Sequence, residues 1–338
     1  MSSIKDVAKR AGVSAATVSR VVNGNYDVTE KTREKVIQAI EQLNYTPNVL
    51  ARSLKNETTQ SIGFLVSDIS NDYFIKMAKV IEDVLSMRNY NIIVCSTENK
   101  KERELSYLQM LVGKQMDAIL LNTTGLNNEY VSAISKSMPL VLLERRIDDA
   151  EFRGDFVTYD ELDSVRQLVQ QVITHGHQRI GVINGPIHLS SARARQQAAD
   201  QLLARYSLEQ PLALHRYDAD FSQEGGYSAA RWMMDQPQRP TALIVMNNMM
   251  AVGALSYLRN HGIDVPGDVS VVNIGEIANS DILYVNPTCT TRDPVPLGAK
   301  AVELVFTRIA GVAQSNREVL FMPQLRMGGT LGLAPATK

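Results

Sequence analysis

Apolar residues in the first 45 positions recur at offsets of three and four, and no stretch there alternates as a strand would. Ile4, Val7, Ala8 and Ala11 fall on one face of a short helix, and Gly12 ends it with a tight turn. Ser14 stands at an N-cap position before a second short helix that carries Val18, Val21 and Val22. A third helix is expected from about Thr29 to Asn44, with Val36, Ile37, Ile40 and Leu43 turned inward. Two short helices joined by a glycine turn and braced by a third make a helix-turn-helix unit. Pro47 then disfavours helix at Thr46 and can open a new, short one, marginal unless something orders it.

From about residue 60 the texture changes. Apolar runs at 62–66, 92–95, 118–121, 140–143, 180–183, 243–245 and 269–274 read as buried strands. Amphipathic segments at 74–87, 103–112, 161–173, 194–203, 225–234, 249–260 and 296–309 read as the helices between them. Repeated β-α alternation predicts parallel sheets covered by helices. So long a stretch exceeds one comfortable core, so two α/β lobes are expected. Their strand ends would meet at a crevice, the usual ligand position in such sheets.

Charge sharpens this division. The net charge of −1 over 338 residues hides an asymmetry. Residues 1–60 hold nine Lys and Arg against six Asp and Glu, which leaves 26 against 30 for the remainder. A basic end on an acidic body suits a polyanionic partner at that end. The two cysteines, Cys95 and Cys289, form neither a disulfide framework nor a zinc pattern, so a reducing compartment is expected. The opening M-S-S-I-K-D-V-A-K-R lacks the apolar core of a signal peptide, and the most apolar stretch, 241–255, is split by Asn247 and Asn248. A cytoplasmic, nucleoid-associated protein with no membrane contact is the expectation.

The string I-K-D-V-A-K-R-A-G-V-S-A-A-T-V-S-R-V-V-N-G at 4–24 closely resembles the N-terminal signature of the lactose repressor/galactose repressor (LacI/GalR) family. The resemblance continues through Y-T-P-N-V-L-A-R-S-L at 45–54, H-G-H-Q-R-I-G-V-I at 175–183 and S-A-R-A-R at 191–195. It recurs in N-N-M-M-A-V-G-A at 247–254, G-I-D-V-P-G-D-V-S-V-V at 262–272 and P-T-C-T-T at 287–291. The blocks keep the family's order over almost the whole chain. The fold implied is an all-α helix-turn-helix headpiece plus an α/β, periplasmic-binding-protein-like core of two parallel-sheet lobes. Its expected parts are the headpiece at 1–46, a hinge at 47–59 and the core at 60–338. Within the core, the N-lobe takes about 60–159 and 290–321, and the C-lobe about 160–289 and 322–338.

The resemblance also implies a homodimer that binds double-stranded operator DNA with one headpiece per subunit. The second short helix would lie in the major groove, with Ser14 at its start and Ala15, Ala16 and Arg20 at the family's base-reading positions. An arginine there can fork to a guanine, worth ~1–3 kcal/mol of discrimination, whereas the alanines can read only shape or a thymine methyl. Thr17, Ser19, Asn23 and Tyr45 suit phosphate contacts, or for the first two simply helix surface. Asn48, Arg52 and Lys55 would contact DNA from the hinge, and Leu54 would wedge between base steps in the minor groove.

Family effector contacts fall on Tyr73, Phe74, Asp160, Arg195, Phe221 and Asn247, with a final acid nearest to Glu276. The aromatic residues would wall a sugar or purine, and Arg195 would donate a fork of hydrogen bonds. Two departures stand out. The family's G-F-D-D motif reads N-I-G-E at 273–276, which puts Gly275 where the ligand-gripping acid is usual, and Asn248 replaces an aspartate. With Arg195 kept and two acids lost, an anionic effector such as a sugar phosphate or sugar acid is expected. The other possibility is that Glu276 turns inward and a neutral sugar binds.

Enzymatic motifs do not support a rival reading: there is no G-x-G-x-x-G, no P-loop and no nucleophile elbow. His175-Gly176-His177 reads as a turn rather than a metal site, so neither metal nor cofactor is expected. The chain reads as an effector-responsive repressor of a carbohydrate-utilisation operon. A purine or other metabolite as effector is the alternative, and a sugar receptor without a DNA role is the remoter one. The absence of a heptad extension before Lys338 favours a dimer over a tetramer.

Overall fold

The computed structural model describes residues 2–22, 28–45, 58–208, 211–282, 286–312 and 315–335. It divides into two compact units, Met1–Thr59 and Gln60–Lys338. Asn23, Asn48, Arg52, Leu54 and Lys55, all expected at the DNA, lie outside the described residues, as does most of the expected hinge.

In the first unit, α1 (Ile4–Ala11) opens with a reciprocal capping box between Ser3 and Asp6 and ends at Gly12, whose φ of +67° is left-handed. Helix α2 (Ala15–Val22) is capped by Ser14, whose Oγ accepts from the Thr17 amide at 3.1 Å. Helix α3 (Glu30–Gln42) braces both. Val7, Ala8, Val18, Val21, Val36 and Ala39 form the core. Ile37 does not join it and is 43% exposed. The inward stripe of α3 runs through Val36, Ala39, Ile40 and Leu43, and a position adjacent to one of its members points about 100° away around the helix.

The second unit holds two six-stranded sheets. The first lobe begins with β1 (Ser61–Val66), α4 (Asp72–Ser86), β2 (Asn91–Ser96), α5 (Lys101–Gly113), β3 (Ala118–Leu121), α6 (Asn128–Ser135), β4 (Leu140–Leu143) and β5 (Asp155–Tyr159). The chain then crosses into the second lobe: α7 (Glu161–Thr174), β6 (Arg179–Asn184), α8 (Ser190–Ser207), β7 (Ala213–Asp218), α9 (Gln223–Met234), β8 (Ala242–Val245), α10 (Asn248–Asn260), β9 (Ser270–Ile274) and β10 (Thr288–Thr291). It returns to the first lobe for α11 (Pro294–Ile309) and β11 (Glu318–Phe321), and crosses again to end on β12 (Gln324–Arg326). The chain therefore passes between lobes three times.

The sheet orders are β11-β5-β4-β3-β1-β2 and β12-β10-β9-β8-β6-β7. All pairings are parallel except β12 with β10. The central strands are continuous apolar runs buried on both faces, as parallel sheets require. Asp155, fully buried at the start of β5, is held by Arg308 at 2.6 Å and Arg317 at 2.7 Å, which fastens α11 and β11 to the first sheet. His175 and His177 flank the turn after α7, at Gly176; the His177 ring faces Thr241 Oγ1 at 2.9 Å and the Gly332 carbonyl at 3.0 Å. Among the described residues no group of His, Cys, Asp and Glu could hold a metal ion. None of the described helices is long and apolar enough to cross a membrane.

Candidate functional site

On the headpiece, Ala16 and Arg20 are exposed and sit four residues apart, so they share the outer face of α2. Ser14 lies at the start of this helix, where unpaired amides favour a negative group. Thr17 is half-buried and its hydroxyl meets that of Ser14 at 2.9 Å. Ser19 is half-buried beside them. Ala15 is drawn inward and packs against the core, as does Tyr45. The surface that α2 offers is therefore carried by Ala16 and Arg20 more than by Ala15.

In the second unit, the carboxyl ends of both sheets face a crevice of about 670 Å³, ample for a metabolite. Tyr73 and Phe74 reach it from the first turn of α4, Arg195 from α8, Phe221 from the loop after β7 and Asn247 from the N-cap of α10. Gly275 and Glu276 follow β9 at its edge. The sequence did not point to Asn71, Asn99, Asn122, Glu144, Arg145 or Arg292, which also line it.

Behind the crevice lies a buried charge network. The Tyr73 hydroxyl donates to Glu144, which pairs with Arg292. Arg292 also grips Glu161, at 2.9 and 3.1 Å, and Arg195 takes the same carboxylate at 2.8 and 3.0 Å. Arg195 Nη1 donates to the Met246 carbonyl at 2.5 Å. The two lobes thus share one chain of ion pairs, since Glu144 belongs to the first and Glu161 and Arg195 to the second. Burial alone would raise the Glu161 carboxyl, but Arg195 and Arg292 outweigh it and hold it below the ordinary range. Burial and the adjacent Glu144 push the Tyr73 phenol well above its ordinary value.

Two expectations need correction. Arg195 does not lack an acidic partner, because Glu161 pairs with it through two hydrogen bonds. Asp160 is not among the residues lining the crevice: it is the N-cap of α7, accepting from the Asp163 amide at 2.9 Å, and the acid that meets Arg195 is the next residue. Glu276 lines the crevice, where its carboxylate pairs with Arg326 at 3.1 Å.

Arg145 is the cation that stands out. It is 6% exposed, and its hydrogen bonds, to Asn99 Oδ1 at 2.7 Å and the Thr123 carbonyl at 3.1 Å, both use Nη1. Its guanidinium lies 5.8 Å from the Phe221 ring centroid, as does that of Arg195. Burial, then the neighbouring Arg195, pull the Arg145 group down to about 10.

Backbone strain gathers at the same place. Glu98, Asn99, Glu144 and Phe221 line the crevice with φ of 51, 54, 63 and 66°, the left-handed region that side chains other than glycine rarely adopt. Such strain persists where the surroundings hold it, most often at binding sites.

Two family models match the chain: "Bacterial regulatory proteins, lacI family" over residues 3–48, and "Periplasmic binding protein-like domain" over residues 169–331. A curated relative, the HTH-type transcriptional repressor PurR of Haemophilus influenzae (strain PittEE), is 32% identical over 333 residues, covering 94% of this chain and 95% of the relative. Catabolite control protein A of Priestia megaterium is 31% identical over 302 residues, covering 89% and 91%. Among solved structures, the lac repressor dimer bound to operator and the anti-inducer ONPF superimposes with a TM-score of 0.84 at 27% identity, covering 97% of this chain and 98% of that one.

Proposed function

Because the chain belongs to the lacI family of bacterial regulatory proteins, we propose that it is a repressor whose crevice takes a sugar or sugar derivative as effector and controls a carbohydrate-utilisation operon. The observation that carries this reading is the presence, in one chain, of a headpiece helix exposing Ala16 and Arg20 and a polar crevice at the strand ends of two lobes. The crevice has flat walls in Tyr73, Phe74 and Phe221 and amide groups in Asn99, Asn122 and Asn247, the mixture that suits a ring bearing hydroxyls. Asn122 Oδ1 is buried and lacks a hydrogen-bond partner, which leaves an acceptor for a hydroxyl donor.

The protein works as a cytoplasmic homodimer. Arg20 reads a base, and Thr17, Ser19, Tyr45 and the hinge residues Asn48, Arg52 and Lys55 hold phosphates, with Leu54 as the minor-groove wedge. Effector binding favours one angle between the lobes and so shifts the operator-competent population. A purine effector is the second reading, and the same three aromatic walls favour it.

The test is retardation of genomic fragments by the full-length protein at low and high salt, with and without sugars, sugar derivatives and purines. One set of fragments should be retained, with an affinity that falls steeply as salt rises and responds to a carbohydrate. Response to purines alone selects the second reading. Failure to retard any fragment in any condition rejects both.

A further inference from the structure

We infer that Arg145 is the receptor for a negatively charged group on the crevice ligand, so that the effector is a sugar phosphate or sugar acid rather than a neutral sugar. The inference rests on the reading of the crevice as the effector site.

A buried guanidinium is stable when its N–H groups are all engaged and a carboxylate neutralises it. The other two buried arginines of the crevice are neutralised by carboxylates, and the half-exposed Arg326 is paired with Glu276. Arg195 shares Glu161 with Arg292, and Arg292 also holds Glu144. Arg145 is not so paired. Both of its hydrogen bonds come from Nη1 and end on neutral oxygens, those of Asn99 and Thr123, which leaves Nε and Nη2 without a partner in a residue that lines the crevice.

The carboxylates around it are committed elsewhere. Of the six that line the crevice, Asp68 accepts from Ser70, Asp72 pairs with Lys76, Glu98 with Lys100 and Glu144 with Arg292. Asp220 accepts from Ser222, and Glu276 pairs with Arg326. Glu104, behind Arg145, is fully buried and tied to Thr124 and Asn127. Both Glu104 and Glu144 act on Arg145 only through space. The site therefore holds a desolvated cation with two unused donors in a forked geometry, the arrangement that matches a phosphate or carboxylate.

Asn99 fixes the fork. It stands at φ 54°, directly after Glu98 at φ 51°, so a strained pair of residues places the acceptor that aims the guanidinium. The Phe221 ring lies 5.8 Å from the Arg145 guanidinium and adds a cation–π wall to the site. Asn122 Oδ1, one residue before the Thr123 carbonyl, is a buried acceptor without a partner beside the same site.

The experiment is calorimetric titration of the full-length chain with sets of sugars, each neutral parent matched to its phosphate and to its aldonic or uronic acid, for wild type, R145Q and R145K. An anionic member should bind wild type more than tenfold more tightly than its neutral parent. R145Q should remove that preference, and R145K, which keeps the charge without the fork, should retain only part of it. If R145Q does not fold, a several-fold drop in preference in R145K carries the comparison. A neutral parent binding as tightly as its anion, or a preference that survives both substitutions, overturns the role of Arg145 and leaves the crevice as the effector site. If nothing in any set binds, the effector reading falls, and this inference with it.

Discussion

The carboxamides of Asn71 and Asn248 form a reciprocal pair across the crevice, each donating to the other's oxygen, at 3.3 and 3.1 Å. Asn71 caps α4 in the first lobe, and Asn248 begins α10 in the second. Asn248 stands where the family resemblance leads to the expectation of an aspartate, and the pair shows what its amide contributes. An aspartate would keep the acceptor that meets the Met249 amide but would lose the Nδ2 donor that serves both Asn71 and the Glu276 carbonyl. Asn248→Asp should therefore loosen the contact between lobes without uncapping the helix. A loss of about 1–2 kcal/mol is expected from two missing hydrogen bonds, read as a fall of a few degrees in the melting temperature of the ligand-free protein at pH 7. An unchanged or raised melting temperature would show that the pair does not stabilise the contact between the lobes.

Gly185 tests the aromatic wall. A Cβ at this position would lie 2.2 Å from two carbons of the Phe221 ring, and Phe221 is already held in a left-handed conformation. The ring cannot stay where it is. Gly185→Ala should lower ligand affinity at least tenfold, and overpacking should cost about 1–3 kcal/mol of stability. Calorimetry and thermal melting of the same preparation separate the two effects. Wild-type ligand affinity would show that the ring is not part of the binding surface.

Asp155 sets an acid limit on the second unit. Burial would raise its carboxyl, but Arg308 and Arg317 prevail and hold it below the ordinary range. A depressed folded-state pKa contributes stability that is present above the unfolded value, about 3.9, and is lost as pH falls through the folded value. Asp155→Asn should cost about 3 kcal/mol at pH 7, the lower end for breaking a buried pair, because Arg317 is a third exposed. Melting curves of wild type and variant should converge as pH drops below 4. A gap that stays constant from pH 7 to 3 would assign the loss to packing rather than charge.

Arg20 carries the headpiece prediction. Arg20→Ala should weaken operator binding by about 1–3 kcal/mol and relax the sequence preference at one base pair in each half-site. Arg20→Lys, which keeps a charge but not the fork, should preserve the salt dependence while losing the preference. Retardation assays on an operator and its single-base variants provide the measurement. An undiminished preference in both substitutions would move base reading to other residues.

The headpiece was legible because each of its helices carries an apolar stripe, α1 is bounded by Ser3 and Gly12, and α2 opens on the capping Ser14. The one misplaced core position, Ile37, sits beside a genuine member of the stripe, and apolarity could not say which of the two neighbours turns inward. In the lobes, β3 and β4 coincide with the apolar runs at 118–121 and 140–143. The strand β10, T-C-T-T, was hidden because its burial is carried by threonines, and β7, A-L-H-R-Y-D, because an edge strand keeps one side wet. Helix α6, with serines on its buried side, gave no apolar stripe to read.

The candidate site divides the same way. Tyr73, Phe74, Arg195, Phe221 and Asn247 reach the crevice because family position sufficed to find them. Glu144 and Arg292 are separated by 148 residues, and no local spacing announces that they pair. Arg195 was read as lacking a partner for the same reason: Glu161 belongs to a different helix, 34 residues away.

The triple passage of the chain between the lobes has a mechanical consequence. Two bodies joined by three chain crossings are tethered against separation, and a rotation about the joints is the hinge motion that this connectivity permits. Arg292 and Glu161 lie beside two of those joints and hardly travel during such a swing, whereas Asn71 and Asn248 face each other from separate bodies and must part. A molecule wedged against the far side is then read with leverage: a small displacement at the edge becomes an angle, and the ion pairs at the axle keep that angle from drifting.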